Sequence, residues 1–517
     1  MTSLNEVSGV CARNKKKTIN ELASILKELK TQGQKIVYCH GVFDLLHIGH
    51  IRYFDQGKLM GDVLVVTVTP DRYVDKGPHR PAFPENLRAE AIASLACVDY
   101  VAINEWPTAE ETLRLLRPHI YVKGSEFKNT DLDMTGKIGR EELVVKEIGA
   151  ELRFTEDIVF SSSSLINRHL SNFSQEIQEY LSLFRARHSL ESILGAIVSL
   201  SELNVLIVGD AIIDEYHYCD AIGKSSKDPC LAMKYQSHEL FAGGSLVVAN
   251  HTASFAKSVD LLTTLGGDDS YEEFIRSKLQ ANVTPHFYYK PNTSTTVKRR
   301  YIDGYSMSKL FEVYVLDDSS LPSEIADAQN QWLTDNLKNY DIVIAADFGH
   351  TAISNEIINT LSKDAPFLSV MTQANAGNRG FHTITKYQRA DFICIAEHEV
   401  RLEARDLNGR LRPLITSLAR KLDCNCFVVT RGRKGCMIGS KDDEFVQVPS
   451  FAARVVDRVG AGDAFLSVTS LLTRLGVDYE VLGFVGNVVG ALTVEVIGNT
   501  KPIDKLSVKK YITALLK

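Results

Sequence analysis

Two histidines three residues apart, His47-x-Gly-His50, follow the apolar run that starts at Lys35-Ile-Val-Tyr-Cys39. The period and composition of that run predict a buried strand, so both imidazoles stand at a turn from strand into helix. The glycine lets the backbone approach a ligand closely, and the helix start offers unpaired amide donors to an anion. Two imidazoles at this spacing can reach one triphosphate and donate to the charge that builds on an attacked α-phosphate. Nucleotidyl transfer by in-line attack, with pyrophosphate leaving, needs positioning and electrostatics but no covalent intermediate. The plainer alternative is a histidine pair that packs in a core or binds a metal.

A second cluster is Asp457-Arg-Val-Gly-Ala-Gly-Asp463, followed by the apolar helix pattern Ala464, Phe465, Leu466, Val468, Leu471, Leu472. A Gly460-Ala461-Gly462 turn at a helix start aims backbone amides at a developing γ-phosphoryl charge. The carboxylate of Asp463 then stands where it can take the proton of an attacking hydroxyl. The alternative is a small-residue turn with a structural aspartate cap.

These residues need elements to hold them. Apolar spacing predicts a helix over 18–30, strands at Ile36–Tyr38, Val63–Val68, Tyr100–Ile103 and Ile120–Val122, and helices at Asn86–Leu95 and Ala109–Leu116. Strands alternating with helices imply a parallel sheet covered on both faces, with ligands at the strands' carboxyl ends. His47, Asp71 and Lys123 each follow a strand and converge on one crevice in such a sheet. A second βα series starts at Asn204-Val-Leu-Ile-Val-Gly-Asp210. Further buried strands are predicted at Leu261–Leu265, Ile342–Ala346, Phe367–Val370, Phe392–Ile395 and Phe427–Thr430. The segments Leu231–Tyr235, Thr295–Tyr301 and Leu310–Val315 alternate and suggest a small separate sheet. Between the two series, one helical face runs from Leu165 to Phe184. It is read as closing the first domain and bridging to the second, by packing on its own domain or through a dimer contact. The expected division is a first domain over 18–170, a helical linker over 171–200 and a second domain over 201–517. The fold class is α/β, with two doubly wound parallel-sheet domains, the second carrying a small β lid.

Gly41-Val-Phe-Asp44, Lys76-Gly-Pro-His-Arg-Pro81, Arg88 and Val122-Lys-Gly124 add glycines and cations at strand ends, and Ser161-Ser-Ser-Ser164 opens a helix as a phosphate-binding cap cluster does. With these motifs the stretch from about Thr18 to Leu170 resembles the cytidylyltransferase-type nucleotidyltransferases, in particular that half of the bifunctional heptose-phosphate kinase/heptose-1-phosphate adenylyltransferases. The resemblance implies that His47 and His50 stabilise the transferring phosphoryl group, with Lys123 and Lys58 holding phosphates. It places Gly41, Phe43, Asp44, Asp71 and Arg88 on the nucleotide side and Ser162, Ser163 and Ser164 on the triphosphate. Lys-Gly-Ser-Glu-Phe127 stands where relatives tend to have Lys-Gly-x-Asp-Tyr.

From Asn204 onward, Val208-Gly-Asp-x-x-x-Asp214, Gly243-Gly244 with Asn250, Gly266-Gly-Asp-Asp269, Thr430-Arg-Gly432 with Gly435, and Gly460-Ala-Gly-Asp463 occur in the order of the ribokinase-like sugar kinases. This likeness makes Asp463 the catalytic base and Gly460, Ala461 and Gly462 the anion hole. Asp214, Gly243, Gly244 and Asn250 would bind sugar, Thr430, Gly432 and Gly435 ATP, and Glu399 the magnesium region. The small alternating sheet would cover the sugar and make a homodimer. Three positions depart from the pattern: Arg458 replaces a threonine, Ala396 an asparagine, and His350 a phosphate-facing lysine. Thr372-Gln-Ala-Asn-Ala-Gly-Asn-Arg-Gly380 replaces Asp-Pro-Lys, as an altered wall of the site or as a loop without chemistry. The kinase precedes the nucleotidyltransferase in the resembling enzymes; here the order is reversed.

The expected function is therefore bifunctional: a kinase acting on a heptose-like sugar phosphate, plus nucleotidyl transfer from ATP or CTP to a sugar-1-phosphate. Mg2+ is expected for both reactions, and ATP for the kinase half. The alternative is an active nucleotidyltransferase fused to a degenerate, ligand-binding kinase-like domain. Bulk composition agrees with small-molecule partners. With 58 Lys+Arg against 64 Asp+Glu the net charge is −6, which gives no basic surplus for nucleic acid or an anionic membrane. The Lys15-Lys-Lys17 run reads as a solvated tail. Nine scattered cysteines without zinc spacing predict reduced, mostly structural thiols, and with no leader pattern or bilayer-length apolar run the expected compartment is the cytoplasm.

Overall fold

The computed structural model describes residues 14–74, 80–125, 137–155 and 173–517. The chain forms two compact units, Met1–Phe173 with Lys509–Lys517, and Ser174–Val508.

In the first unit, β1 (Ile36–Gly41), β2 (Val63–Val68), β3 (Tyr100–Ile103), β4 (Ile120–Lys123) and β5 (Glu151–Phe154) make a wholly parallel sheet in the order β3-β2-β1-β4-β5. The run Ile36–Cys39 is continuously apolar because both of its faces are covered. Val37 and Cys39 pack with Phe54, Ala89 and Ile92 on one side, while Ile36 and Tyr38 pack with Leu22, Leu26 and Leu113 on the other. The helix at Ile19–Thr31 opens with a capping box, in which Thr18 accepts from the Glu21 amide and Glu21 reaches back to the Thr18 amide. The lysine run is not a solvated tail. Lys15 Nζ donates to Leu95 O at 2.8 Å, Lys16 Nζ to Asn86 Oδ1 at 2.7 Å, and the Lys17 amide to Val101 O.

The second unit is built on a nine-stranded sheet. It comprises β6 (Asn204–Gly209), β9 (Ser258–Gly266), β10 (Val283–Lys290), β13 (Ile342–Asp347), β14 (Leu368–Thr372), β15 (Phe392–Ala396), β16 (Cys426–Thr430), β17 (Cys436–Gly439) and β18 (Phe445–Val448). Their order is β10-β9-β6-β13-β14-β15-β16-β17-β18, parallel up to β16 and antiparallel beyond it. The two antiparallel strands at this end, β17 and the edge strand β18, carry no strong period-2 signal and were not expected. A separate four-stranded sheet, β12-β11-β7-β8, joins β7 (Ala211–Lys224), β8 (Leu231–Gly244), β11 (Thr296–Asp303) and β12 (Lys309–Val315); the alternating segments predicted the last three, while β7 was not expected.

The helices at Gln175–Arg187 and Leu190–Ser199 belong to this unit. Phe184 is fully buried, with its ring stacked 4.3 Å from Phe484, and Glu480 holds both Arg187 Nη2 (2.8 Å) and His188 Nε2 (2.9 Å). The described cysteines are all free thiols, most of them buried. Among the described residues no helix is long and apolar enough to cross a membrane.

Candidate active sites

The order of the first sheet reverses direction between β1 and β4, and this is where an open parallel sheet leaves a crevice at its carboxyl edge. His47 follows β1 and Lys123 ends β4, so the two flank that point. The helix at Ile48–Lys58 starts one residue after His47, whose Nδ1 accepts the Gly49 amide at 3.1 Å as a side-chain N-cap. The His47 and His50 rings stack with centroids 3.9 Å apart, so both imidazoles serve one place. Partial burial lowers the His47 pKa below its usual value. Phe43, held at φ +48°, packs edge-on against His50 at 5.3 Å, and a side chain at Gly41 would meet the Phe43 ring.

Lys123 is buried and ion-paired with Glu141 at 2.7 Å. Burial pushes the Glu141 carboxyl up, but the charges of Lys123 and His40 and the hydrogen bonds from Lys123 and Tyr121 together lower its pKa; Tyr121 Oη donates to this carboxylate at 2.9 Å. Glu141 is thus a member of the site that motif reasoning passed over, because a single helical glutamate carries no spacing signal.

Several expected nucleotide contacts instead build the walls. Arg88 is buried and its guanidinium donates to Phe83 O, Val42 O and Thr69 O and pairs with Asp71 Oδ1 at 2.5 Å. The other Asp71 oxygen accepts the Glu85 amide, and Asp44 takes Arg80 Nη1 at 2.7 Å and the Ala82 amide at 2.5 Å. Arg88, Asp71 and Asp44 therefore fix the loops after β1 and β2. Lys58, expected to hold phosphate, closes the C-terminal end of its helix and bonds Asp99 Oδ2 and Asp62 O at 2.6 Å, at the edge of the sheet where β2 begins. Ser162, Ser163 and Ser164, with Lys76 and His79, lie outside the described residues.

In the second unit the expected residues meet more completely. One cleft of about 340 Å³ is lined by Asp214, Gly244, Glu399, Thr430, Gly460, Gly462 and Asp463, together with Ala396 and Arg458. Gly460 caps the helix at Ala461–Arg474 with φ +81°, a backbone region closed to most side chains, and a Cβ there would strike Asn499. Asp463 is buried in that helix's first turn. Burial first, then the negative charges of Asp214 and Glu399 against the positive charge of Lys298, raises its pKa to about 7. Glu399 has a raised pKa, chiefly through burial, and its two oxygens accept the Ala374 and Ala396 amides at 2.8 and 2.7 Å.

Gly243 lies against the Asp214 carboxylate, and any side chain there would strike it. Gly432 and Gly435 shape the turn between β16 and β17, where a Cβ on Gly435 would strike Val448 O; neither lines the cleft. Asn250, expected to bind sugar, is engaged by neighbouring backbone. Its amide is spent on Lys278 O and on the Gln280 amide, both at 3.0 Å, which tethers the segment before β10.

The sequence reading missed two cations. Lys298 and Arg300 sit two apart on β11, hence on one face, and both line the cleft. Arg300 pairs with Asp214 and, at 2.9 Å, with Glu312, and burial lowers the Lys298 pKa. The alternation at Thr295–Tyr301 contained that signal. Beside position 350, Lys386 Nζ reaches Asp347 Oδ2 at 2.5 Å, next to His382 and Tyr387. Burial raises the Asp347 pKa, but these partners bring it down to about 2.

Comparison with known proteins follows the same division. The cytidylyltransferase-like family model matches residues 38–169, and the model of the pfkB family carbohydrate kinases matches 202–506. The order is the one the motifs predicted. Among curated relatives, the bifunctional protein HldE of a Nitratiruptor species is 37% identical over 152 residues, 29% of this chain and 30% of that protein. HldE of Pelobacter propionicus is 35% identical over 164 residues, 31% of this chain and 32% of that protein. The chain thus spans about a third of the length of these relatives. Among solved structures, phosphofructokinase-2 of Escherichia coli superposes with a TM-score of 0.49 at 13% identity, over 61% of this chain and 100% of that one. The pfkB match alone extends over more than half of the 517 residues, and the chain belongs to the pfkB family of carbohydrate kinases.

Proposed function

We propose that the protein is a two-step enzyme of nucleotide-sugar synthesis. In this reading the second unit phosphorylates a heptose-like sugar phosphate with ATP. The first transfers a nucleotidyl group from ATP or CTP to a sugar-1-phosphate and releases pyrophosphate. The observation that carries the reading is the meeting of Asp214, Gly244, Gly460, Gly462 and Asp463 in one cleft, with a carboxyl tuned to about 7 at the helix start. A base with that pKa is half-ionised near neutrality, where proton removal from a sugar hydroxyl is most effective. The Gly460–Gly462 amides then stabilise the charge on the transferring phosphoryl group, while Lys298 and Arg300 receive the phosphate the sugar already bears.

Glu399 offers a hard oxygen donor on the cleft wall, which fits Mg2+; the ion would neutralise the ATP phosphates. Ala396 contributes no donor, which favours a second reading of the unit as a ligand-binding remnant; the tuned carboxyl of Asp463 argues against it. In the first unit, His47 and His50 would donate to the α-phosphate and Lys123, oriented by Glu141, to its oxygens. The proposed catalytic domains are 18–170 and 201–517, and the helices at Gln175–Arg187 and Leu190–Ser199, expected as a linker, pack into the second unit. Exposed Phe311, Val313 and Val315 on the outer face of β12 make that face the proposed homodimer contact. The deciding experiment is a matrix of nucleoside triphosphates against sugar phosphates and sugar-1-phosphates, read by ADP and by pyrophosphate release. A matrix without ADP release removes the kinase step, and one without pyrophosphate removes the nucleotidyl step.

A further inference from the structure

His350 stands in the turn after β13 and is only 8% exposed, yet among the described residues neither ring nitrogen has a hydrogen-bond partner. Buried polar atoms are normally satisfied, and each one left unmatched bears its full desolvation cost. The turn that puts the ring there is strained. Gly349 has φ +73° and Thr351 has φ +70°, a left-handed conformation that β-branched residues rarely adopt. A side chain at 349 would also strike Asn378 and His382. Strain of this kind persists where the surrounding structure enforces it, and here it turns an imidazole inward.

The ring lines a small pocket with Asp210, Thr264, Lys290, Thr295 and Thr351. The His350 ring feels the charge of Lys298, which lines the proposed sugar cleft. The pocket's free space, about 30 Å³, is the room of one water or one hydroxyl-bearing carbon. The charged groups around it are already matched. Asp210 accepts the Phe348 and Ala352 amides at 2.8 and 2.9 Å, and Lys290 is held by Asp317 at 2.7 Å and Ser319 O at 2.6 Å. Thr295 Oγ1 is engaged with the Gly266 amide and Ser270 O. Among the described residues that line the pocket, the two imidazole nitrogens are the buried side-chain polar atoms left without a partner. Burial lowers the His350 pKa, with Lys298 and His382 acting in the same direction and Asp210 and Asp318 against it. A neutral imidazole presents one donor and one acceptor. That pair suits a hydroxyl, which both gives and takes a hydrogen bond; a phosphate only accepts, and Lys298 and Arg300 already offer it cations.

We propose that His350 and its pocket form a subsite for one neutral hydroxyl of the sugar phosphate, and that this contact decides which sugar the second unit accepts. The inference rests on the sugar-phosphate kinase reading above. The test uses the full chain and ADP release, with a heptose monophosphate and the set of its monodeoxy analogues as probes. In the wild type, one analogue should lose on the order of 10- to 100-fold in kcat/KM, the cost of stranding a buried partner. In His350→Ala that analogue and the parent sugar should become equal to within about twofold by the same logic. His350→Gln, which keeps a neutral donor and acceptor, should restore part of the discrimination. Equal losses for all analogues in either variant would overturn the subsite, as would discrimination restored only for a dephosphorylated sugar. Should the wild type phosphorylate no sugar phosphate, the kinase reading itself fails; turnover without a position-specific effect of His350 removes the subsite alone.

Discussion

Replacing Asp463 by Asn separates two properties of one carboxyl. In the folded chain its pKa is about 7 against an ordinary 3.8, so the folded state binds a proton that the unfolded state releases. A group raised in this way contributes its stability fully below about pH 4 and loses it as the pH rises through 7. At pH 8 the ionised carboxylate is buried near Asp214 and Glu399, and the roughly 3-unit shift corresponds to at most about 4 kcal/mol of strain. Water in the cleft screens part of this, and about 2 kcal/mol is expected to reach stability. Asp463→Asn should therefore melt about 3–6 °C above the wild type at pH 8 without ligands, and level with it at pH 4. ADP release with a sugar phosphate should fall by about 10²- to 10⁴-fold, because the proton acceptor is gone. Differential scanning fluorimetry across pH and a coupled ADP assay measure the two effects. A melting difference that does not change with pH, or activity within tenfold of wild type, would refute the assignment.

Lys58→Ala should leave pyrophosphate release within about threefold of wild type, since its ammonium serves Asp99, whereas Lys123→Met should cost about 10²-fold or more; equal effects would contradict the geometry. Arg300→Met should raise KM for a sugar phosphate at least about tenfold while leaving a dephosphorylated sugar almost unaffected, as loss of a charge-assisted contact predicts; steady-state kinetics with both sugars decides it. Phe184→Ala should destabilise the second unit by about 3–5 kcal/mol in urea unfolding, because the removed ring is wholly buried against Phe484. An effect below about 1 kcal/mol would mean that this helix does not belong to that core.

The strands that position both sites were legible because βα units bury their strands on two faces, so Ile36–Cys39 and Val205–Val208 read as unbroken apolar runs. The glycine turns were legible for a different reason: Gly460 needs a positive φ and has no room for a Cβ. What escaped was pairing across the chain. Nothing near Arg88 says that its guanidinium will be absorbed by the carbonyls of Val42, Phe83 and Thr69, and nothing near Lys58 announces Asp99, 41 residues on. Lys298 and Arg300 were hidden similarly, since period 2 marked a strand without telling which face would look into the cleft. Asn250 is a further case, a polar residue close to a glycine pair whose amide bonds neighbouring backbone.

Six residues before Asp463, Asp457 accepts Tyr216 Oη at 2.8 Å and Lys309 Nζ at 2.7 Å, both from the four-stranded sheet, and also the Gly498 amide at 3.1 Å. The four-stranded sheet and the turn that leads into Gly460–Gly462 are thus fastened to the same carboxylate. On the proposed kinase reading, that carboxylate joins the sugar's cover to the phosphate turn, and the coupling of ATP cleavage to sugar binding then runs through a hydrogen bond from a tyrosine and a salt bridge from a lysine.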